Sequence, residues 1–258
     1  MDTREGLLET QITISPNSEF MDRSWVQPRY ATFKSQIDDY TLHARILEPA
    51  NIKRGKRYPV IFGPAYSNTV RNRWAGTIGL LQQLLVERGY IVIQVDIRGS
   101  TGYGREFREE FLMDFAGNDI EDLESAVNYL STLPYVDPER IGIWGSSYGG
   151  TLTIYSLFKK PGLFKAGVAG AAAVDPYFFG TDDVAIVRRP ESHPEAFTRG
   201  ALQYADNLED HLLIIHGMQD HVVPFKTVAV LTEELIRLGK DFDFVFVPGA
   251  THGWTRPT

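Results

Sequence analysis

The chain of 258 residues contains no cysteine. That excludes disulfides, a thiolate metal site and a cysteine nucleophile, although it leaves the compartment open, since a secreted protein can also lack cysteine. No apolar run approaches the roughly 20 residues of a membrane-spanning helix. The opening residues Met1-Asp2-Thr3-Arg4-Glu5-Gly6 have no basic-then-apolar signal pattern. Internal repeats and low-complexity tracts are also missing. The six histidines form no paired-ligand pattern such as H-E-x-x-H, so neither a metal nor another cofactor is expected. Basic residues are in deficit, 26 against 33 acidic, for a net charge of −7. A nucleic acid or an anionic membrane is therefore not expected as partner. Self-association is left open. The 43% of hydrophobic residues, over this length, suffices for one α/β domain with a sizeable core.

The stretch that organises the rest is Ile141-Gly142-Ile143-Trp144-Gly145-Ser146-Ser147-Tyr148-Gly149-Gly150. Gly145, Ser147 and Gly149 spell G-x-S-x-G, the nucleophile elbow of α/β-hydrolases. The elbow needs a short buried strand before it, which 141–144 supplies, and a helix after it, which 150–157 can form. Such a helix points its positive N-terminal end at a developing oxyanion. Ser146 is adjacent, but only Ser147 has glycine two residues away on both sides. A lone motif of this kind also arises by chance, so the rest of the chain must support it.

Residues 1–28 show no clear pattern beyond a short strand and turn over 11–16. Tyr40, Leu42, Ala44 and Ile46 alternate with mostly polar positions, as in a half-buried antiparallel strand. Residues 58–62 read as the next strand and end at Gly63-Pro64. A helix is expected over 78–88, stopped by Gly89. The run 90–95 suits a strand buried on both faces. In the loop 96–104, Gly99, Gly102 and Gly104 match neither phosphate-loop pattern, so phosphate binding is not expected. Asp119 can cap a helix with Ile120, Leu123, Ala126, Val127 and Leu130 on its apolar face. Further strands are expected over 164–172, 212–215 and 242–247, with a helix over 228–238 closed by Gly239. This alternation predicts an α/β fold with a mostly parallel central sheet and helices on both faces.

In α/β-hydrolases the triad runs Ser, Asp or Glu, then His along the chain. Asp220 follows the strand 212–215 and His252 follows the strand 242–247, both at carboxyl ends, where open α/β sheets place their sites. His252 would be the general base and Asp220 the residue that orients its ring. His216 and His221 compete for the base role. His216 closes a strand and precedes glycine, as a packed structural histidine does, and His221 adjoins the acid too closely to be supported by it.

Residues 145–150 resemble the prolyl oligopeptidase family of serine peptidases, nearest its dipeptidyl peptidase IV branch. Residues 96–104, 136–141 and 213–220 carry the same resemblance, which extends over about residues 30–253. It implies an α/β-hydrolase catalytic domain that cleaves peptides, often after proline or another small residue. It also implies an oxyanion hole made by the backbone N–H of Tyr148 and the hydroxyl of a tyrosine after an early strand. Tyr66 is the best match there, although Tyr66-Ser67-Asn68 departs from the usual Tyr-Gly-Gly. Tyr177, Phe178 and Phe179 stand where relatives build an aromatic pocket, and an aromatic cluster is as often core as pocket. Relatives carry a β-propeller before this domain and a helix after the catalytic histidine. The expectation is therefore an N-terminal arm or remnant of a preceding domain over 1–29 and a hydrolase domain over 30–258, as a piece of a longer protein. The function expected is a serine peptidase acting through an acyl-enzyme on Ser147, on a peptide or small ester substrate. The alternatives are a carboxylesterase of broad specificity and a truncated, non-catalytic fragment.

Overall fold

The computed structural model describes residues 17–112, 114, 116–175, 194 and 200–253. The expected strand over 11–16 and the expected aromatic pocket Tyr177, Phe178 and Phe179 lie outside the described residues. The strands are β1 (Arg29–Lys34), β2 (Thr41–Leu47), β3 (Tyr58–Phe62), β4 (Ile91–Asp96), β5 (Val136–Ser146), β6 (Ala166–Gly170), β7 (His211–Gly217) and β8 (Asp243–Val247). They form one sheet in the order β1-β2-β4-β3-β5-β6-β7-β8. Strands β1 and β2 run antiparallel to their neighbours, and every pairing from β4 onward is parallel. The helices are α1 (Ser18–Asp22), α2 (Gly76–Glu87), α3 (Arg105–Glu109), α4 (Asn118–Ser131), α5 (Tyr148–Lys159) and α6 (Lys226–Arg237), with a 3-10 segment at Ala201–Asn207. None of the described helices is long and apolar enough to cross a membrane.

The two-residue period of a strand divides the core into two. On β4, Ile91, Ile93 and Val95 join the larger cluster, together with Ile120 and Leu123 of α4, Ile154 and Leu157 of α5, and Val228 and Leu231 of α6. Val92, one residue out of phase, packs with Leu47 and with Val86 of α2. Helices thus cover both faces, and β4 is buried along its whole length.

The loop after β4 is held by charge. Arg98 is 1% exposed. Its backbone N–H and Nε donate to Asp122 Oδ2 at 2.7 and 3.0 Å, and Nη2 donates to Asp122 Oδ1 at 2.8 Å and to Asp38 Oδ2 at 3.0 Å. Among the described residues Nη1 has no hydrogen-bond partner and lies 3.6 Å from Glu110 Oε2, so the buried guanidinium is offset by three carboxylates. The loop after β4 is therefore tied to α4.

One local expectation is corrected. Gly117, not Asp119, is the N-cap of α4. Asp119 lies inside the first turn, buried, and its carboxylate has another partner, described below.

Candidate active site

Strand β5 ends at Ser146 and helix α5 starts at Tyr148, so Ser147 occupies the turn between them, with φ 59° and ψ −124°. A non-glycine residue in that region costs on the order of 1–3 kcal/mol and persists only where its surroundings impose it. Here they do. The Ser147 N–H donates to the Gly170 carbonyl at 2.9 Å and the Ser147 carbonyl accepts from the Thr151 N–H at 3.0 Å. The flanking glycines are required sterically. A Cβ on Gly145 would overlap the backbone carbonyl of Gly149, and one on Gly149 would overlap the Ala65 carbonyl oxygen.

The parallel run β5-β6-β7-β8 brings the loops after β5, β7 and β8 to the same, carboxyl end of the sheet. The loops after β7 and β8 are stitched together, because Met218 N–H donates to the Val247 carbonyl at 3.1 Å and Gln219 N–H to the Ala250 carbonyl at 3.0 Å. This brings Asp220 and His252 into contact. Asp220 Oδ1 accepts from the N–H groups of Val222 and Val223 at 2.9 and 2.8 Å. Its Oδ2 lies 2.8 Å from His252 Nδ1. A carboxylate only accepts, so Nδ1 carries the ring proton and Nε2 is left as a base. The Asp220 side chain is fully buried, whereas that of His252 is 28% exposed, as suits a ring that must meet a substrate. Ser147 and His252 share no hydrogen bond in this structure. Catalytic hydrogen bonds are often long before substrate binds.

His216 is buried and packed, as its place at the strand end implied. Its Nε2 lies 2.9 Å from the Val223 carbonyl, which can only accept, and 3.4 Å from Asp220 Oδ2. Burial lowers its pKa. A neutral His216 thus braces the turn that carries the acid. His221 is exposed and takes no part in the Asp220–His252 pair.

Tyr66 follows β3, on a loop held to the elbow strand by the Ala65 N–H, which donates to the Trp144 carbonyl at 2.8 Å. Its ring stands edge-on to that of Tyr148, with centroids 5.9 Å apart, and it is 40% exposed. The Tyr148 N–H heads α5, among the donors that a helix cannot satisfy internally.

Local sequence does not point to what lies behind Tyr148. Its hydroxyl donates to Asp119 Oδ2, so α4 braces the residue next to Ser147. An aspartate in a first helical turn looks like a cap, and only the tertiary contact distinguishes the two roles. Burial, with Asp122 and Asp114 nearby, pushes the Asp119 carboxyl up to about 7 from its usual 3.8, against the Tyr148 hydrogen bond that lowers it. The unfolded chain releases this proton near pH 4 and the folded chain keeps it to about pH 7. Across that window the folded state binds more protons, so stability falls as pH rises. The effect is at most about 4 kcal/mol. Asp119→Asn, which keeps the acceptor for Tyr148, is expected to flatten the fall of melting temperature between pH 5 and pH 8. Parallel melting profiles for the two chains in a pH series would refute this.

Several known proteins are similar to this chain. A model of the prolyl oligopeptidase family matches residues 78–258. Dipeptidyl peptidase 8 of Mus musculus is 29% identical over 240 residues, covering 88% of this chain and 26% of that protein. The crystal structure of a putative dipeptidyl aminopeptidase IV from Bacteroides ovatus superposes with a TM-score of 0.85 at 28% identity, covering 92% of this chain and 34% of that one. Pyrococcus horikoshii acylaminoacyl peptidase superposes at 0.77 with 28% identity, covering 91% of this chain and 39% of that one. The fold is that of an α/β-hydrolase. The chain spans about a quarter to two fifths of the length of these relatives.

Proposed function

The chain belongs to the prolyl oligopeptidase family, and from that premise we propose that residues from Tyr30 onward form the catalytic unit of a serine peptidase in which Ser147, Asp220 and His252 act as a triad. The observation that carries this reading is the 2.8 Å contact between Asp220 and His252 Nδ1, taken together with a serine held at positive φ. Ser147 Oγ attacks the scissile carbonyl and its proton passes to His252 Nε2, while Asp220 holds Nδ1–H and stabilises the imidazolium. The same proton goes to the leaving amine, which departs and leaves an acyl-enzyme on Oγ. Water, deprotonated by His252, then releases the acid. The test is labelling with a fluorophosphonate, followed by mapping of the modified residue. Modification of Ser147 is expected. A folded chain that is unlabelled, or labelled elsewhere, would remove the reading.

The oxyanion is assigned to the Tyr148 N–H and the Tyr66 hydroxyl. Their support is the packing of the Tyr66 loop on the elbow. Removing one such donor costs about 10²–10³ in kcat. Tyr66→Phe is therefore expected to lower kcat by that factor with little change in KM. A loss confined to KM would show that Tyr66 binds substrate instead.

A further inference from the structure

Beside the elbow lies a cleft of about 380 Å³ whose lining includes Tyr66, Ser146, Trp144, Arg45, Arg71 and Arg73. Its volume lies in the range of small-ligand sites. Among the described residues, no aspartate or glutamate lines it. Of its three guanidiniums, Arg71 is ion-paired to the buried Asp96 at 3.0 Å. Arg45 stands on β2 opposite Gln94 of β4. Its Nη1 donates to two neutral oxygens, Gln82 Oε1 and Gln94 Oε1, each at 3.1 Å. Its Nε is buried without an acceptor. Among the described residues neither Arg45 nor Arg73 has a carboxylate partner. A half-buried cation on neutral amides is short of a counter-charge, and an anion brought by a ligand would supply it. This local excess of positive charge sits in a chain whose net charge is −7.

We propose that the cleft is a substrate subsite for a carboxylate, with Arg45 and Arg73 as its positive groups and Arg71 held in place by Asp96. The inference rests on the peptidase reading, because it takes the cleft's position next to Ser146 and Tyr66 as a position along a bound peptide. A carboxylate there is either an acidic side chain or the free C-terminus of a short peptide. Guanidinium forks suit both.

The test separates this from the serine reading by measuring binding without turnover. The Ser147→Ala chain is titrated calorimetrically with paired peptides, glutamate against glutamine at each position in turn, and free carboxylate against amide at the C-terminus. At least one anionic peptide is expected to bind about ten- to a hundredfold more tightly than its neutral twin, the range for a hydrogen bond to a charged group. The gap is expected to narrow at high salt and to shrink in Arg45→Gln. Arg73→Gln, a change at an exposed side chain, is the companion variant should Arg45→Gln fail to fold. A gap that follows glutamate identifies a side-chain subsite, and one that follows the C-terminus identifies a terminal one. Either supports the proposal. Equal affinities within every pair, or a gap that persists when both arginines are replaced, would overturn it. Fluorophosphonate labelling of the unmodified chain decides the serine reading independently.

Discussion

Ser147→Ala and His252→Ala are each expected to lower kcat on a chromogenic peptide by about 10⁶, and the double variant by no more than either alone. The reason for non-additivity is chemical. Without Oγ the base has nothing to deprotonate, and without the base the hydroxyl is a poor nucleophile, so the second change removes a step already lost. A residual rate above that of water is expected from the oxyanion donors and substrate binding, which neither substitution touches. Folding is not expected to fail, since the elbow is held by the backbone hydrogen bonds of Ser147, which alanine keeps. Far-ultraviolet circular dichroism and melting temperature check that point. Single variants that multiply in the double variant, each with a loss of tenfold or less, would mean that the two residues act separately.

The features legible in the sequence are those fixed by local chemistry. Gly145 and Gly149 can only be glycine where the chain passes so close to itself, and their spacing around Ser147 points to the elbow once the flanking strand, the helix and the later Asp and His motifs support it. Alternation on β2 and the uninterrupted apolar run of β4 mark a half-buried antiparallel strand and a doubly buried one, as found. Helix α2 shows where local reading fails. Its buried positions include Gln82 and Gln83, while Leu80, Leu81 and Leu84 are exposed. The reason is tertiary. Gln82 donates to the Gly63 carbonyl, and Gln83 both accepts from the Val26 N–H and donates to the Val26 carbonyl. Hydrogen bonds to loops far away in sequence, not hydropathy, set that helix's orientation. Arg45 is illegible for a related reason, because an arginine at an alternating strand position looks like any solvated residue. The short helix α3 and the 3-10 segment at Ala201–Asn207 carry no strong periodicity, so hydropathy does not reveal them.

Asp220→Asn is expected to cost about 10⁴ in kcat, as when the aspartate of a serine-protease triad is so replaced, while leaving the fold in place. The geometry gives the cause. Oδ1 receives the backbone N–H groups of Val222 and Val223, so that position must remain an oxygen, and an asparagine places its amide nitrogen toward His252. That nitrogen donates, and His252 Nδ1 must then accept. The ring proton moves to Nε2, which then cannot take the serine's proton. The loss should therefore appear in kcat, with substrate binding little altered. It should also relax at high pH, where hydroxide can replace the missing base. Asp220→Ala makes a useful companion, because it removes the acceptor without imposing the wrong tautomer. It should lose no more activity than Asp220→Asn if the tautomer is the larger effect, and its melting temperature should fall further, since two backbone N–H groups, that of Val223 buried, lose their partner. A full-rate Asp220→Asn chain would show that another group orients His252. His216, 3.4 Å from Asp220 Oδ2, would then be the first residue to replace.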